Sequence, residues 1–292
     1  MMRAACAALL LFVCSSAAAQ VSAIDDAGNT VTLAHPAQRI VSLAPHITEQ
    51  LFAIGAGSLV VGTTDYADYP SAAKAIPRLA RAHSVDLERI AAARPDLIVV
   101  WGTGFPPAVI EALKRLGPPV FVDEPGAIAS IATSMERLGV LVGHPEAKEV
   151  AARFRARETA LRAQYAGRTE VAVFYQIWSE PLMTLGGRHV VSEAIRLCGG
   201  RNVFEQLAPL APQVSIEAVL AARPEIIVTA EADARASGAL AMWRRFPQIP
   251  AVRHDLLVTL DANRINRHTP RMLDEVAVLC ARIDQARGVA GK

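Results

Sequence analysis

The chain has 292 residues, 52% hydrophobic and 20% charged, and its 30 basic against 28 acidic side chains leave a net charge of +2. No basic block stands out, so a nucleic-acid surface has no electrostatic support. The length exceeds what one small core needs and fits two domains of ordinary size.

Arg3 supplies a short positive start, residues 4–14 (AACAALLLFVC) form an apolar run too short for a bilayer, and residues 15–19 (SSAAA) offer small residues for cleavage. This predicts a signal peptide over residues 1–19, a mature chain opening at Gln20, and a soluble, exported protein. A lipid anchor on Cys14 is the rival reading, against which Val13 is bulky where a lipobox wants a small residue. Cys198 and Cys280 outlast the leader. An even pair in an oxidising compartment predicts one disulfide. The alternatives are two buried thiols or a metal pair, and for the latter neither cysteine has a Cys or His nearby at ligand spacing.

Residues 21–33 read as a hairpin turning at Asp26, Ala27, Gly28 and Asn29. Residues 39–43 (RIVSL) are a buried-strand run stopping at Ala44-Pro45. Residues 48–54 follow as a helix, with Thr48 as cap and Gly55 as stop. A strand at 59–62, a helix at 86–93, a strand at 96–100, a helix at 109–116 and a strand at 119–122 complete a βα series. Such alternation predicts an α/β fold built on a mostly parallel sheet.

A repeat then shows itself. Residues 88–99 (ERIAAARPDLIV) match residues 217–228 (EAVLAARPEIIV) at a constant offset of 129, with Glu88/Glu217, Arg94/Arg223 and Pro95/Pro224 among the identical pairs. The period is far too long for a solenoid. Two related lobes, Rossmann-like and each with a central mostly parallel sheet, account for it. Between them, residues 145–165 hold no glycine and no second proline, and Ala147, Val150, Ala151, Phe154, Leu161 and Tyr165 form one apolar stripe. Opened by Pro145, this is the longest helical pattern in the chain, spanning about 31 Å. The expected layout is a signal peptide (1–19), a first α/β lobe (20–142), a linker helix (143–166) and a second α/β lobe (167–292). A rigid helix as sole crossover predicts small lobe motions.

No Walker loop, HExxH or GxSxG element is present. His35, His46, His83, His144, His189, His254 and His268 are scattered, none at ligand spacing from another, although a metal site assembled from distant histidines stays open. Three segments suit a cleft between lobes, each following a predicted strand: residues 64–70 with Tyr66 and Tyr69, residues 175–178 ending at Trp178, and residues 263–267 (NRINR).

Residues 39–55, the DYP of 68–70, residues 87–99, the CGG of 198–200 with Asn202 and Phe204, and PQVSIEAVL at 212–220 together resemble the periplasmic cobalamin-binding proteins of ABC importers, substrate-binding proteins with a helical backbone linker. The resemblance runs from about residue 38 to 286. It implies a monomeric binding protein without catalysis or cofactor, whose transported ligand is cobalamin or a related corrinoid and whose partners are the permease subunits. A haem or ferric-siderophore carrier is the alternative, and a secreted metal-dependent hydrolase is the alternative of a different class. The resemblance further implies that Glu88 and Glu217 dock the transporter, that Cys198 and Cys280 pair, that Tyr66 contacts the corrinoid, and that Asn263, Arg264, Ile265, Asn266 and Arg267 form a ligand loop. Ala82 and Ala211 stand where relatives place ligand-facing tryptophans, and Asn263 stands for an aspartate. Trp178 and His83 are the candidates to fill the space, His83 with a ligand metal in reach.

Overall fold

The computed structural model describes residues 20–81, 84–232 and 238–290. The predicted signal peptide and His83 lie outside them. The described chain opens on the expected antiparallel hairpin, β1 (Val21–Ile24) and β2 (Thr30–Leu33). Its turn is held by Asp25, whose Oδ1 accepts from the Asn29 N–H at 2.7 Å.

The first lobe is a six-stranded sheet of β3 (Ile40–Ser42), β4 (Val60–Thr64), β5 (Arg78–Arg81), β6 (Ser84–Val85), β7 (Leu97–Trp101) and β8 (Val120–Asp123), in the order β6-β5-β4-β3-β7-β8. Every pairing is parallel except β5 with β6. The central strand β7 explains its own unbroken apolar run: Leu97 and Val99 enter one core and Ile98 and Val100 the other. A strand covered on both faces needs no alternation. Helices α1 (Pro45–Ala53), α2 (Leu87–Ala92), α3 (Pro107–Lys114) and α4 (Ile128–Val142) cover the sheet.

Two expectations are corrected here. Helix α1 starts at Pro45 rather than at a Thr48 cap, because proline suits the first helical position, where no N–H partner is needed. Thr48 lies inside the helix, its hydroxyl 3.2 Å from the Ala44 carbonyl and 2.8 Å from Thr63 Oγ1. The linker helix α5 (Ala147–Tyr165) begins after Pro145, and its 19 residues are matched by the 19 of a C-terminal helix that the pattern did not single out. Ala147, Ala151, Phe154 and Tyr165 of the stripe are buried, with Val150 and Leu161 packed against the core. The helices α4 and α5 approach so closely that a Cβ on Gly139 would stand 2.3 Å from the Ala147 Cβ. Arg155 of α5 adds a bond to Glu136 of α4 at 2.7 Å.

The second lobe holds β9 (Val171–Gln176), a small hairpin of β10 (Trp178–Ser179) and β11 (Leu182–Met183), α6 (Val190–Leu197), β12 (Gly200–Asn202), α7 (Ile216–Ala222), β13 (Ile226–Glu231), α8 (Pro250–Arg253), β14 (Leu257–Asp261), α9 (Ala262–Ile265) and α10 (Met272–Ala290). Its main sheet is parallel throughout, in the order β12-β9-β13-β14. Helix α5 packs on α4 from the first lobe and on α6 and α10 from the second, so the two lobes share one crossover helix. Cys198, at the end of α6, is bonded to Cys280 of α10 across 82 residues. Closing a loop of that size disfavours the unfolded chain by roughly 4–5 kcal/mol. Among the described residues no helix is long and apolar enough to cross a membrane.

The sequence repeat is a structural repeat. Asp86 and Ser215, 129 residues apart, cap α2 and α7 by accepting from the N–H groups of Arg89 and Ala218. Arg94 and Arg223 both adopt φ of +46°. The acid that follows each Arg-Pro then ties the neighbouring strand: Asp96 accepts from the Arg39 N–H at 2.9 Å, and Glu225 from the Ala172 N–H at 2.7 Å. An Arg-Pro-acid motif thus turns each helix into its strand.

Candidate functional site

The carboxyl ends of the strands in both sheets supply the residues between the lobes. In open α/β sheets this is where ligands bind. On the first lobe, β4 runs into Tyr66, which has φ of +65° and is 73% exposed. A bulky residue in left-handed backbone is strained. It is held there by its neighbour Ala67, which is fully buried and whose carbonyl accepts from Arg78 at 3.0 Å. The Tyr66 ring is therefore presented outward by an anchored turn.

On the second lobe, β9 ends at Gln176 and Trp178 follows, 61% exposed. Gln176 is fixed at both ends of its amide: Oε1 accepts from Trp243 Nε1 at 2.7 Å and Nε2 donates to the Ala239 carbonyl at 3.0 Å. Trp178 Nε1 donates to the Glu180 carbonyl at 2.8 Å, leaving the indole face open. Tyr175, in the same segment, is buried, and burial pushes its hydroxyl pKa up. A cavity of 420 Å³ opens here, bounded by the ends of β9 and β13 and lined by Trp178 and Glu231 among others. A larger hollow of 610 Å³ runs along β5, β6 and the start of α2, lined by the first lobe alone as the 420 Å³ cavity is by the second. The latter opens at the carboxyl ends of two paired parallel strands beside an exposed aromatic ring, which makes it the better ligand site.

The 263–267 segment is not the open loop expected. Asn263, Arg264 and Ile265 belong to the short helix α9, capped by Asp261, which accepts from the Asn263 N–H at 2.8 Å. Ile265 is fully buried in the core, so its side chain packs rather than lining a cleft. Asn266 is exposed. Arg264 pairs with Asp261 at 3.4 Å. Arg267 crosses to the first lobe, donating to Glu49 and Asp68 at 2.8 Å each and to Asn263 Oδ1 at 2.9 Å. Burial opposes its charge, but the bonds to Asp68 and Glu49 outweigh that and hold its pKa above the ordinary value. The same bonds overcome desolvation at Asp68 and hold its carboxyl below the usual range. Arg271 joins them, donating to both Glu49 oxygens at 2.9 and 2.7 Å while stacking 3.7 Å from the Tyr69 ring centroid. Glu49, with 2% of its side chain exposed, is thus the centre of a clamp between lobes.

Deeper between the lobes lies a group the sequence scattered beyond notice. His46 Nε2 is 3.3 Å from Asp123 Oδ2, and its ring meets Trp101 and His268 edge-on at 5.5 and 5.6 Å. Burial, then the nearby His46, pushes the His268 pKa down to about 3, so its ring is neutral. Among the described residues, no three His, Cys, Asp or Glu side chains converge as a metal site would require.

Glu88 and Glu217 occupy equivalent places in the first turns of α2 and α7, one on each lobe, and both are exposed. The helix N-terminus favours a carboxylate there. Glu217 is held below the usual carboxylate range by its own backbone N–H and by Ser215.

Comparison with known proteins agrees with this layout. A family model described as periplasmic binding protein matches residues 40–263. The chain is 35% identical over 261 residues to a vitamin B12-binding protein of Vibrio parahaemolyticus, covering 89% of this chain and 94% of that one. It is 40% identical over 247 residues to one from Vibrio cholerae, covering 84% and 88%. The crystal structure of the periplasmic vitamin B12-binding protein BtuF of Vibrio cholerae superposes with a TM-score of 0.80 at 38% identity, over 86% of this chain and 98% of that one. The periplasmic haem-binding protein BhuT, in complex with two haems, shares the fold with a TM-score of 0.76 at 24% identity, over 85% and 98%.

Proposed function

The chain belongs to the periplasmic binding protein family, and from that premise we propose that it captures cobalamin or a related corrinoid between its lobes and delivers it to the permease of an ABC importer. The family binds substrates for transport and is not one of enzymes, so the corrinoid is cargo rather than cofactor. The observation that carries the ligand reading is the pair of outward aromatic side chains, Tyr66 from the first lobe and Trp178 from the second, 73% and 61% exposed at the ends of their strands. Large apolar faces left in water on rigid turns suit a broad, flat ligand whose burial supplies the affinity.

Haem is the weaker reading. The likeness to the haem carrier, at 24% identity, speaks for the fold alone. Ala211 is exposed and offers no aromatic face, so Trp178 supplies the aromatic wall of the second lobe. In delivery, Glu88 and Glu217 meet the two permease subunits, and a protein built of two related lobes presents matching acids to a two-fold partner. The carrier acts as a monomer after cleavage between Ala19 and Gln20.

The test is calorimetric titration of cyanocobalamin into the wild type and into Tyr66→Ala and Trp178→Ala. Losing one aromatic face buried by the ligand, about 1.5–3 kcal/mol, weakens binding by roughly tenfold to a hundredfold. Unchanged affinity in both variants would remove the aromatic pair from the site.

A further inference from the structure

The 420 Å³ cavity beside Trp178 has one acid whose role the described residues do not use up. Most polar atoms of its lining are committed to each other. The Gln176 amide is held by Trp243, Ser179 and Ala239, and Thr229 Oγ1 donates to the Gln176 carbonyl at 2.9 Å. Glu231, the last residue of β13, is only part-buried, and its Oε1 accepts from the Ala239 N–H at a long 3.3 Å. An ionised carboxylate has about four acceptor positions, so Glu231 can take further N–H donors from a ligand in the cavity. Glu180, exposed at the rim, adds a second negative charge.

Among the described residues no cation lines this cavity. Arg267 is bound to Glu49 and Asp68, Arg271 to Glu49, and Arg264 to Asp261. Among the described residues, the ligand edge therefore meets acceptors and negative charge. A primary amide donates to such a surface, whereas a carboxylate is repelled by it.

We propose that Glu231 is a specificity-determining residue: it accepts hydrogen bonds from the amide side chains of a corrin ring and rejects rings whose edge carries carboxylates. The selection rests on the corrinoid reading above and deepens it. It gives the cleft a preference between two ligands of the same shape, which the aromatic walls alone cannot distinguish.

The probes are dicyanocobinamide and dicyanocobyrinic acid, which share the corrin ring but carry amides and carboxylates respectively at its edge. Affinities for both are measured by calorimetry on the wild type, Glu231→Gln and Glu180→Gln at pH 7.5 and two salt concentrations. The wild type prefers the amide ligand, more strongly at low salt. Glu231→Gln keeps its affinity for cobinamide within about threefold, because glutamine still offers an acceptor, and narrows the amide-to-acid ratio by about tenfold. Glu180→Gln narrows it less. An unchanged ratio in Glu231→Gln, or a larger change in Glu180→Gln, overturns the assignment while leaving the corrinoid reading intact. A wild type that binds both probes equally does the same. Binding of neither probe sinks the corrinoid reading, and the selection with it.

Discussion

Replacing Glu49 with alanine removes the centre of the clamp between the lobes. The carboxylate has 2% of its side chain exposed and accepts three charge-assisted bonds of 2.7–2.9 Å from Arg267 and Arg271, whose side chains are 12% and 17% exposed. Breaking a buried ion pair from one side costs about 3–5 kcal/mol, because the surviving charge stays desolvated. Here the lower end applies. Arg267 keeps Asp68 and Asn263, and Arg271 keeps its stacking on Tyr69. A loss of about 3 kcal/mol in a chain of this size lowers Tm by roughly 6–12 °C. Differential scanning calorimetry of Glu49→Ala measures it, and a double-mutant cycle with Arg271→Ala isolates the pair. Residues in one ion-pair network couple by about 0.5–3 kcal/mol. A Tm within 2 °C of wild type, or additive single effects, would show that the clamp carries no stability and that the lobes are held by α5 and the core alone.

Two further outcomes follow from the site. His268 is neutral in the fold, its pKa lowered to about 3 from 6.5, so the unfolded chain binds the extra proton between those values. Stability is then fully present above pH 6.5 and falls as pH drops toward 3, by up to about 1.4 kcal/mol per pH unit. The slope is shallower in practice, because part of the residue meets solvent. His268→Asn should flatten this limb in urea melts at pH 4–7, and an equal slope in both proteins would contradict it. For delivery, Glu88→Ala/Glu217→Ala should bind cyanocobalamin as the wild type does yet fail to support uptake in cells lacking the native carrier. Normal uptake by that variant would remove the acids from docking.

The parts of the fold that sequence exposed best are those where one residue type has one use. Asp86 and Ser215 cap helices, Pro95 and Pro224 end the chain's helical run, and the acids after them tie strands, so the repeat was readable as a duplicated helix-to-strand unit. Cys198 and Cys280 were readable because only two cysteines remain after the leader. Helix α4 was passed over although its pattern is periodic. Its nine buried residues recur at helical spacing and Ser130, Thr133, Glu136 and Arg137 fall on the other face, but Ser134 and Gly139 inside the apolar stripe interrupt it to the eye. At α1, Pro45 was taken for a strand stop, whereas the same fixed φ opens a helix. The site divided in the same way. Tyr66 and Trp178 were visible as aromatic residues after strands, and the structure leaves both in water. Ile265 went with its polar neighbours although the helix turns it inward. The clamp of Glu49 with Arg267 and Arg271, and the pair His46 and His268, join residues on opposite lobes, and no local pattern announces a partner more than two hundred positions away.

The central claim is that a corrinoid fills the cleft between Tyr66 and Trp178. Titrating the mature protein by calorimetry with cyanocobalamin, dicyanocobinamide and haemin tests it most directly. The account predicts tight one-to-one binding of at least one corrinoid and none of haemin. Binding of haemin alone, or of none of the three, would contradict it.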